Sequence, residues 1–258
     1  PRRNNISEHR AEFVYTPLSS YTAMLRLSRD QAKIVCPDVD ICDVITRHML
    51  VPGAQKDYEA QTRTSAIVSA RRLAGKYNCH GVHSAAVAAF ATALFDKMKK
   101  VHGLSEDKKL ILELAAVLHS CGQYINVRTH TQCSFDLIKN FDIFGLTSEQ
   151  LLLTAFVSGY NEFAVPGSSD YRYLRLSEEK RLEIAKLVAI FRLSNALDKS
   201  KRQKLRLNKI KITNDKLEIK VDTADNALLE KWAFEECAGF FKEVFGLSPE
   251  LHIRSNLL

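Results

Sequence analysis

The segment Lys108–Leu118, opened by Ser105, does most to limit what this chain can become. Leu110, Ile111, Leu114, Ala115 and Leu118 fall on one helical face, and the rest of the segment beyond Lys109 is also apolar apart from Glu113. A helix that is apolar nearly all round has to be enclosed by other elements. The segment therefore predicts a central buried helix. With 46% hydrophobic residues in 258, the chain has enough apolar material to build a core around it.

The flanking segments carry the matching period. From Tyr58 onward, Ile67, Ala70, Leu73 and Ala74 share a face, with Gly75 as the expected stop. His83–Lys100 reads as a longer helix with an apolar stripe of Val87, Phe90, Ala91, Leu94, Phe95 and Met98, ended by His102-Gly103. Asp136–Asn140 and Ser148–Ser158 are shorter helices, the second capped by Thr147 or Ser148. Pro166-Gly167-Ser168-Ser169-Asp170 is a loop. Ser177 then opens a long helix to Leu197, with Leu182, Ala185, Leu187, Val188, Ile190, Phe191, Ser194 and Leu197 facing inward.

After Lys199 the period drops to two. Leu205/Leu207, Ile210/Ile212 and Leu217/Ile219/Val221 alternate around Asn214-Asp215, which predicts a β-hairpin. Asn226–Phe245 returns to helix, ended by Gly246, and Leu251-x-Ile253 reads as one more strand. Before the helical region, Pro17 opens a short helix to Leu27, after a frayed polar start over 1–12. Lys33–Cys36 reads as a strand, Asp43–Met49 as a short helix, and Pro52-Gly53 as a break. The start at Pro1 reads as that of a fragment.

No apolar run reaches the ~18 residues of a membrane helix, and no secretory signal opens the chain. The six cysteines form no Cys-x-x-Cys pair and mostly sit in apolar runs, which suits a reducing cytoplasm better than a disulfide framework.

His83, His119, Ser120 and Asp198 stand out chemically. Their spacing resembles the HD-domain pattern, in which a first His, a His-Asp pair and a distant Asp converge on a metal from separate helices. Imidazole and carboxylate together suit a divalent ion that activates water for phosphoester hydrolysis. Here the pair reads His119-Ser120, and a neutral hydroxyl is a poor ligand for a hard cation. No metal is expected at His83, His119, Ser120 and Asp198. The plainer reading makes the histidines core residues that hold helices together by hydrogen bonds. The chain has no Gly-x-Ser-x-Gly elbow and no Gly-x-x-x-x-Gly-Lys loop, and Cys121 beside His119 is the one paper candidate for a thiol nucleophile.

The net charge of +7 favours an anionic partner. Lys97, Lys99, Lys100 and Arg128 form one candidate polyanion-binding set, and Lys199, Lys201, Arg202 and Lys204 another. Arg71, Arg72 and Lys76 make a further cluster. The run that continues through Arg206, Lys209 and Lys211 can equally be the solvated edge of a sheet. The hairpin has no interleaved aromatics, which argues against base stacking and sequence-specific nucleic-acid binding.

Four separated runs resemble the exopolyphosphatase / guanosine pentaphosphate phosphohydrolase family. They are His102-Gly-Leu-Ser-Glu-Asp-Lys-Lys-Leu, Leu114-Ala-Ala-Val-Leu-His-Ser-Cys-Gly-Gln-Tyr-Ile125, Phe144-Gly-Leu-Thr-Ser-Glu-Gln150 and Phe191-Arg-Leu-Ser-Asn-Ala-Leu-Asp198. The closing hairpin–helix–strand ending in Val244-Phe-Gly246 agrees in order, so the resemblance covers roughly Tyr58 to Leu258. Of two further family runs only His130, Ser134 and Tyr160 match.

The resemblance implies a mainly α fold. Residues 56–200 form an HD-like helical bundle, 201–258 a small strand–strand–helix–strand cap, and 1–55 the α/β remnant of an actin-like lobe. It also implies that catalysis belongs to actin-like lobes holding phosphate loops and Mg²⁺, so no catalytic residue carries over and no cofactor is expected in this chain. The family's helical region grips a polyanion and dimerises. The implied partners are polyphosphate or guanosine pentaphosphate and a second copy of the chain. The alternatives are a non-catalytic regulatory or oligomerisation module and an autonomous HD-type metal phosphohydrolase using His83, His119 and Asp198.

Overall fold

A computed structural model describes residues 8–27, 42, 45–46, 54–162, 164–167 and 169–255. The chain divides into two compact units, Pro1–Gln55 and Lys56–Leu258.

In the first unit helix α1 spans Glu8–Leu27. It begins well before Pro17, the expected opener, and runs through it. Proline keeps a helical φ, so what is lost inside a helix is one ladder bond and some room against the preceding turn. The strand expected at Lys33–Cys36 and the break at Pro52-Gly53 lie outside the described residues. Of the expected helix Asp43–Met49 only Ile45 and Thr46 are described, both helical.

Helix α2, Ala54–Lys76, carries Gly75 inside its last turn rather than beyond it. The stop is Asn78, at φ +53°, and the Cys79 N–H closes back on the Ala74 carbonyl at 2.9 Å. Asparagine is one of the few residues that tolerate the left-handed conformation a helix end needs. Helix α3, Gly81–Lys97, and the short α4, Lys99–His102, replace the single helix expected over 83–100. They join at Met98, whose N–H is shared between Leu94 and Phe95 carbonyls. All six residues of the expected stripe, Val87 to Met98, are buried. Gly103, at φ +62°, then reverses the chain.

Helix α5, Lys108–Leu118, is the predicted centre: from Leu110 to Leu118 every residue but Glu113 is buried. Glu113 is satisfied by Arg63 of α2 at 2.5 Å. Each large side chain enclosed here contributes about 1.5–3 kcal/mol. A 3-10 turn, Cys121–Tyr124, leads to α6, His130–Lys139. The helix starts ahead of the expected Asp136, because its polar first turn hides the period. Before that turn the Asn126 carboxamide oxygen accepts from Arg128 and Thr129 N–H groups. Helix α7, Ser148–Gly159, starts on a full capping box between Thr147 and Gln150. After the one-turn α8, Tyr171–Leu174, helix α9 spans Glu178–Ala196 with Ser177 as its N-cap. Leu182, expected inside, is 53% exposed, and Ile184 takes the inward position.

Helix α5 packs against α3, α7 and α9, and α6 packs against α7. Strands β1, Arg206–Thr213, and β2, Lys216–Thr223, form the predicted antiparallel hairpin. Helix α10, Leu228–Phe245, crosses to β3, Ser248–Ser255, which lies parallel to β2, so β2 is central. Its Leu217, Ile219 and Val221 are buried between polar neighbours. Helix α10 also packs along α9, which joins the cap to the bundle core. No helix among the described residues is long and apolar enough to cross a membrane.

Candidate functional site

Three helix ends meet where the sequence placed its chemistry. His83 lies in the first turn of α3, His119 and Ser120 follow the end of α5, and Asp198 follows the end of α9. All four are buried. The His83 Nδ1–H donates to Asp198 Oδ2 at 2.8 Å, and the two imidazole rings stand edge to face with centroids 5.3 Å apart. His119 donates through Nδ1 to the Ala116 carbonyl at 3.0 Å and also packs against Phe191. The sequence pattern therefore does converge in space.

What converges is a hydrogen-bond clasp. Asp198 Oδ1 accepts the Gln203 backbone N–H at 2.7 Å, and Oδ2 accepts the Gln203 side-chain amide at 2.9 Å besides His83. Burial pushes the Asp198 carboxyl up, but the hydrogen bonds from His83 and Gln203 together outweigh it and hold the group below the usual carboxylate range. Both oxygens are thereby committed. Burial, and next the neighbouring His83, lower the His119 pKa to about 3, so its imidazole is neutral. The Ser84 hydroxyl is buried without a hydrogen-bond partner, and the buried Ser120 hydroxyl lies against the Cys79 thiol. Among the described residues no group of three or more His, Cys, Asp or Glu side chains is arranged to hold a metal ion. With a hydroxyl at position 120 and a saturated Asp198, these residues do not fit a divalent cation.

Neither neighbouring thiol is poised for attack. Burial pushes Cys121 up to about 12 and raises Cys79 as well, although Ser120 and Lys201 pull Cys79 the other way. Thiolate is the nucleophile, and burial suppresses it. Ser134 serves the framework, since its hydroxyl donates to the His119 carbonyl at 2.7 Å and accepts the Gly122 N–H at 2.9 Å.

A concavity of about 540 Å³ lies between α6, α7 and the loop before α8. Asp170 and Arg172 there satisfy one another, and Asp136 takes a hydrogen bond from Gln132. Arg172 grips Asp170 with two bonds, at 2.9 and 2.7 Å, and lies 4.1 Å from the Phe135 ring centre. The Tyr160 hydroxyl donates to Asp170 at 2.7 Å. The Arg172 bonds, working against burial and helped by Tyr160, hold the Asp170 carboxyl at about 2.

The basic candidates fall into distinct settings. Lys97 and Lys100 are exposed, and Lys99 pairs with Glu106 at 2.6 Å. Arg128 is exposed in the loop before α6. Lys201 and Arg202 are exposed in the loop after α9, where Lys201 and Gln203 hold left-handed backbone at φ +56° and +49°. Lys199 reaches Glu162 at 3.4 Å. Lys204 turns inward, donating to the Asn226 carbonyl at 2.8 Å and lying 3.9 Å from Glu230. Arg206, Lys209 and Lys211 stand exposed on β1, an edge strand, where lysines discourage pairing with another chain.

Sequence reasoning missed the residues that shape this loop. Glu230, 1% exposed in the first turn of α10, accepts the Ser200 N–H at 3.0 Å. Gln203 completes the Asp198 clasp. Arg192 and Asn195 are buried on α9. The available signal was polar residues inside apolar stripes: Arg192 one turn after Val188, and Glu230 one turn before Phe234.

The model for Ppx/GppA phosphatase, domain III, matches residues 66–236. No curated protein matches the chain.

Proposed function

Because the chain belongs to the Ppx/GppA phosphatase family through its domain III, we propose that its helical unit is the polyanion-gripping and dimerising part of an exopolyphosphatase-like hydrolase. The reaction assigned to the intact enzyme is release of terminal phosphate from polyphosphate or guanosine pentaphosphate in the cytoplasm. The observation that carries the reading is the loop Lys199–Lys204, a basic loop held between two buried carboxylates. Asp198 fixes it at Gln203, and Glu230 fixes it at Ser200 and draws in Lys204. A cationic loop anchored in advance loses less conformational freedom on meeting a polyanion. Lys201 and Arg202 then face solvent as the phosphate-contacting groups.

The role of this unit is to bind and orient. Mg²⁺, which family resemblance assigns to the catalytic lobes, would offset phosphate charge there, and no step through it is assigned to these residues. Dimerisation is supported by an apolar patch at the start of α10, where Leu228, Leu229 and Trp232 are each about half exposed.

The test is binding of long-chain polyphosphate and of a short oligophosphate to the wild type and to Lys201→Glu/Arg202→Glu. The double variant should weaken the long chain by ~10-fold or more at low salt, with a smaller salt dependence, and affect the short chain far less. Equal affinity for the long chain in both proteins would overturn the assignment. Sedimentation of the wild type against Trp232→Glu tests the dimer.

A further inference from the structure

A cavity of about 40 Å³ lies where α9 meets α10, bounded by Asn161, Arg192, Asn195, Lys199, Glu236 and Cys237 among others. Arg192 is only 7% exposed. Its Nη1 donates to the Ala164 carbonyl at 2.6 Å, its Nε has no partner, and among the described residues no carboxylate pairs with it. The Cys237 thiol lies beside it, but burial raises that thiol's pKa despite the guanidinium, so it brings no negative charge. A buried guanidinium without a counter-charge is unusual, because buried charges are costly unless paired. Asn161 and Asn195 are buried to a similar degree, and the Asn161 carboxamide oxygen has no partner either. Two carboxylates line the cavity. Glu162 is already engaged by Lys199 at 3.4 Å and His130 at 3.3 Å, and Glu236 stands exposed at the rim.

We infer that Arg192 is the buried anchor of a binding site for one tetrahedral oxyanion, either free phosphate or a phosphoryl group of a phosphoanhydride chain. The volume suits it: at ~10–15 Å³ of such space per water, the cavity holds about three waters, close to the bulk of one phosphate. The chemistry suits it too. A guanidinium fork matches two oxygens of a tetrahedral anion, and the amide groups of Asn161 and Asn195 can supply further donors. Water could occupy the space and meet the Nε–H, but it brings no charge. A half-turn of a carboxamide exchanges its two ends, so Asn161 can present its NH₂ group once an anion is there. The site meets the basic loop at Lys199 but takes in neither Lys201 nor Arg202, and it stands even if those two bind nothing.

The test uses the full chain, with inorganic phosphate and tripolyphosphate as probes in chloride buffer of matched ionic strength. Affinity is read by isothermal titration, and Tm is followed alongside. Wild type should bind phosphate saturably and unfold at higher temperature as phosphate is added. Arg192→Met should weaken phosphate by ~10–100-fold. Without phosphate its Tm should match or exceed wild type, since it replaces an unpaired buried charge with an apolar stem. Lys201→Glu/Arg202→Glu should keep phosphate binding, which separates this site from the proposed polyanion loop. Tripolyphosphate binding that also depends on Arg192 identifies a chain phosphoryl group as the ligand, and phosphate binding alone identifies the free ion. No saturable phosphate binding in the wild type, or unchanged affinity in Arg192→Met, overturns the site. If Arg192→Met does not fold, Asn195→Leu serves in its place, with weakened phosphate binding expected and unchanged binding decisive against.

Discussion

Replacing Asp198 with Asn tests whether the convergence of helix ends is a clasp. The carboxylate receives three hydrogen bonds, at 2.8 Å from His83 and at 2.7 and 2.9 Å from Gln203. An asparagine keeps one acceptor for the Gln203 backbone N–H. Its NH₂ group then faces two donors, His83 and the Gln203 amide. Two hydrogen bonds to a charged acceptor amount to about 3–6 kcal/mol. Removing the buried negative charge and letting His83 exchange its proton between ring nitrogens return part of this, leaving a net loss of about 2–4 kcal/mol. For a unit of this size that lowers Tm by about 5–15 °C. Urea unfolding followed by far-UV circular dichroism at pH 7 measures it, and a double-mutant cycle with His83→Gln isolates the pair, with a coupling of about 1 kcal/mol or more expected. The pH dependence has a definite sign. The folded carboxyl lies below its ordinary value, so its stabilisation is present above the unfolded pKa near ~3.9 and fades as pH falls through the folded one. The deficit of the variant should therefore shrink in acid. A loss below about 0.5 kcal/mol at pH 7, or additivity in the cycle, would refute the clasp.

Two further outcomes follow from buried groups. His119 is held neutral with its pKa lowered to about 3, so the unfolded chain takes up a proton that the folded one refuses, and stability falls as pH drops below the unfolded value near ~6.5. From this residue alone the wild type should lose on the order of 2 kcal/mol between pH 7 and 5, and His119→Phe should remove that slope in urea titrations at the two pH values. An added Cβ at Gly122 would run into the backbone of His130 and Ser134, so Gly122→Ala should cost about 3 kcal/mol or more in Tm-based stability. Gly75→Ala, helical and facing open space, should instead gain ~0.5–1 kcal/mol.

Local pattern determined a good deal about this protein. The buried α5 was legible because a helix without a polar face has only one environment available to it. The hairpin was legible because a period of two around Asn214-Asp215 admits little else, and the α7 start because Thr147 and Gln150 satisfy each other within four residues. His83, His119 and Asp198 were also readable as a group, since their identities and order carry the pattern. Tertiary structure alone decided what that group does. The partner that saturates Asp198 is Gln203, an unremarkable residue placed by left-handed backbone at 201 and 203. Lys204 was indistinguishable from Lys201 along the chain, yet one turns toward buried Glu230 and the other faces solvent. Arg192 looked like an interruption of an apolar stripe, and only the packing of α10 against α9 encloses it with two asparagines and leaves its charge without a carboxylate. Periodicity reports which face of an element is covered. Charge pairing depends on residues brought together from distant elements, and a single sequence holds no record of that distance.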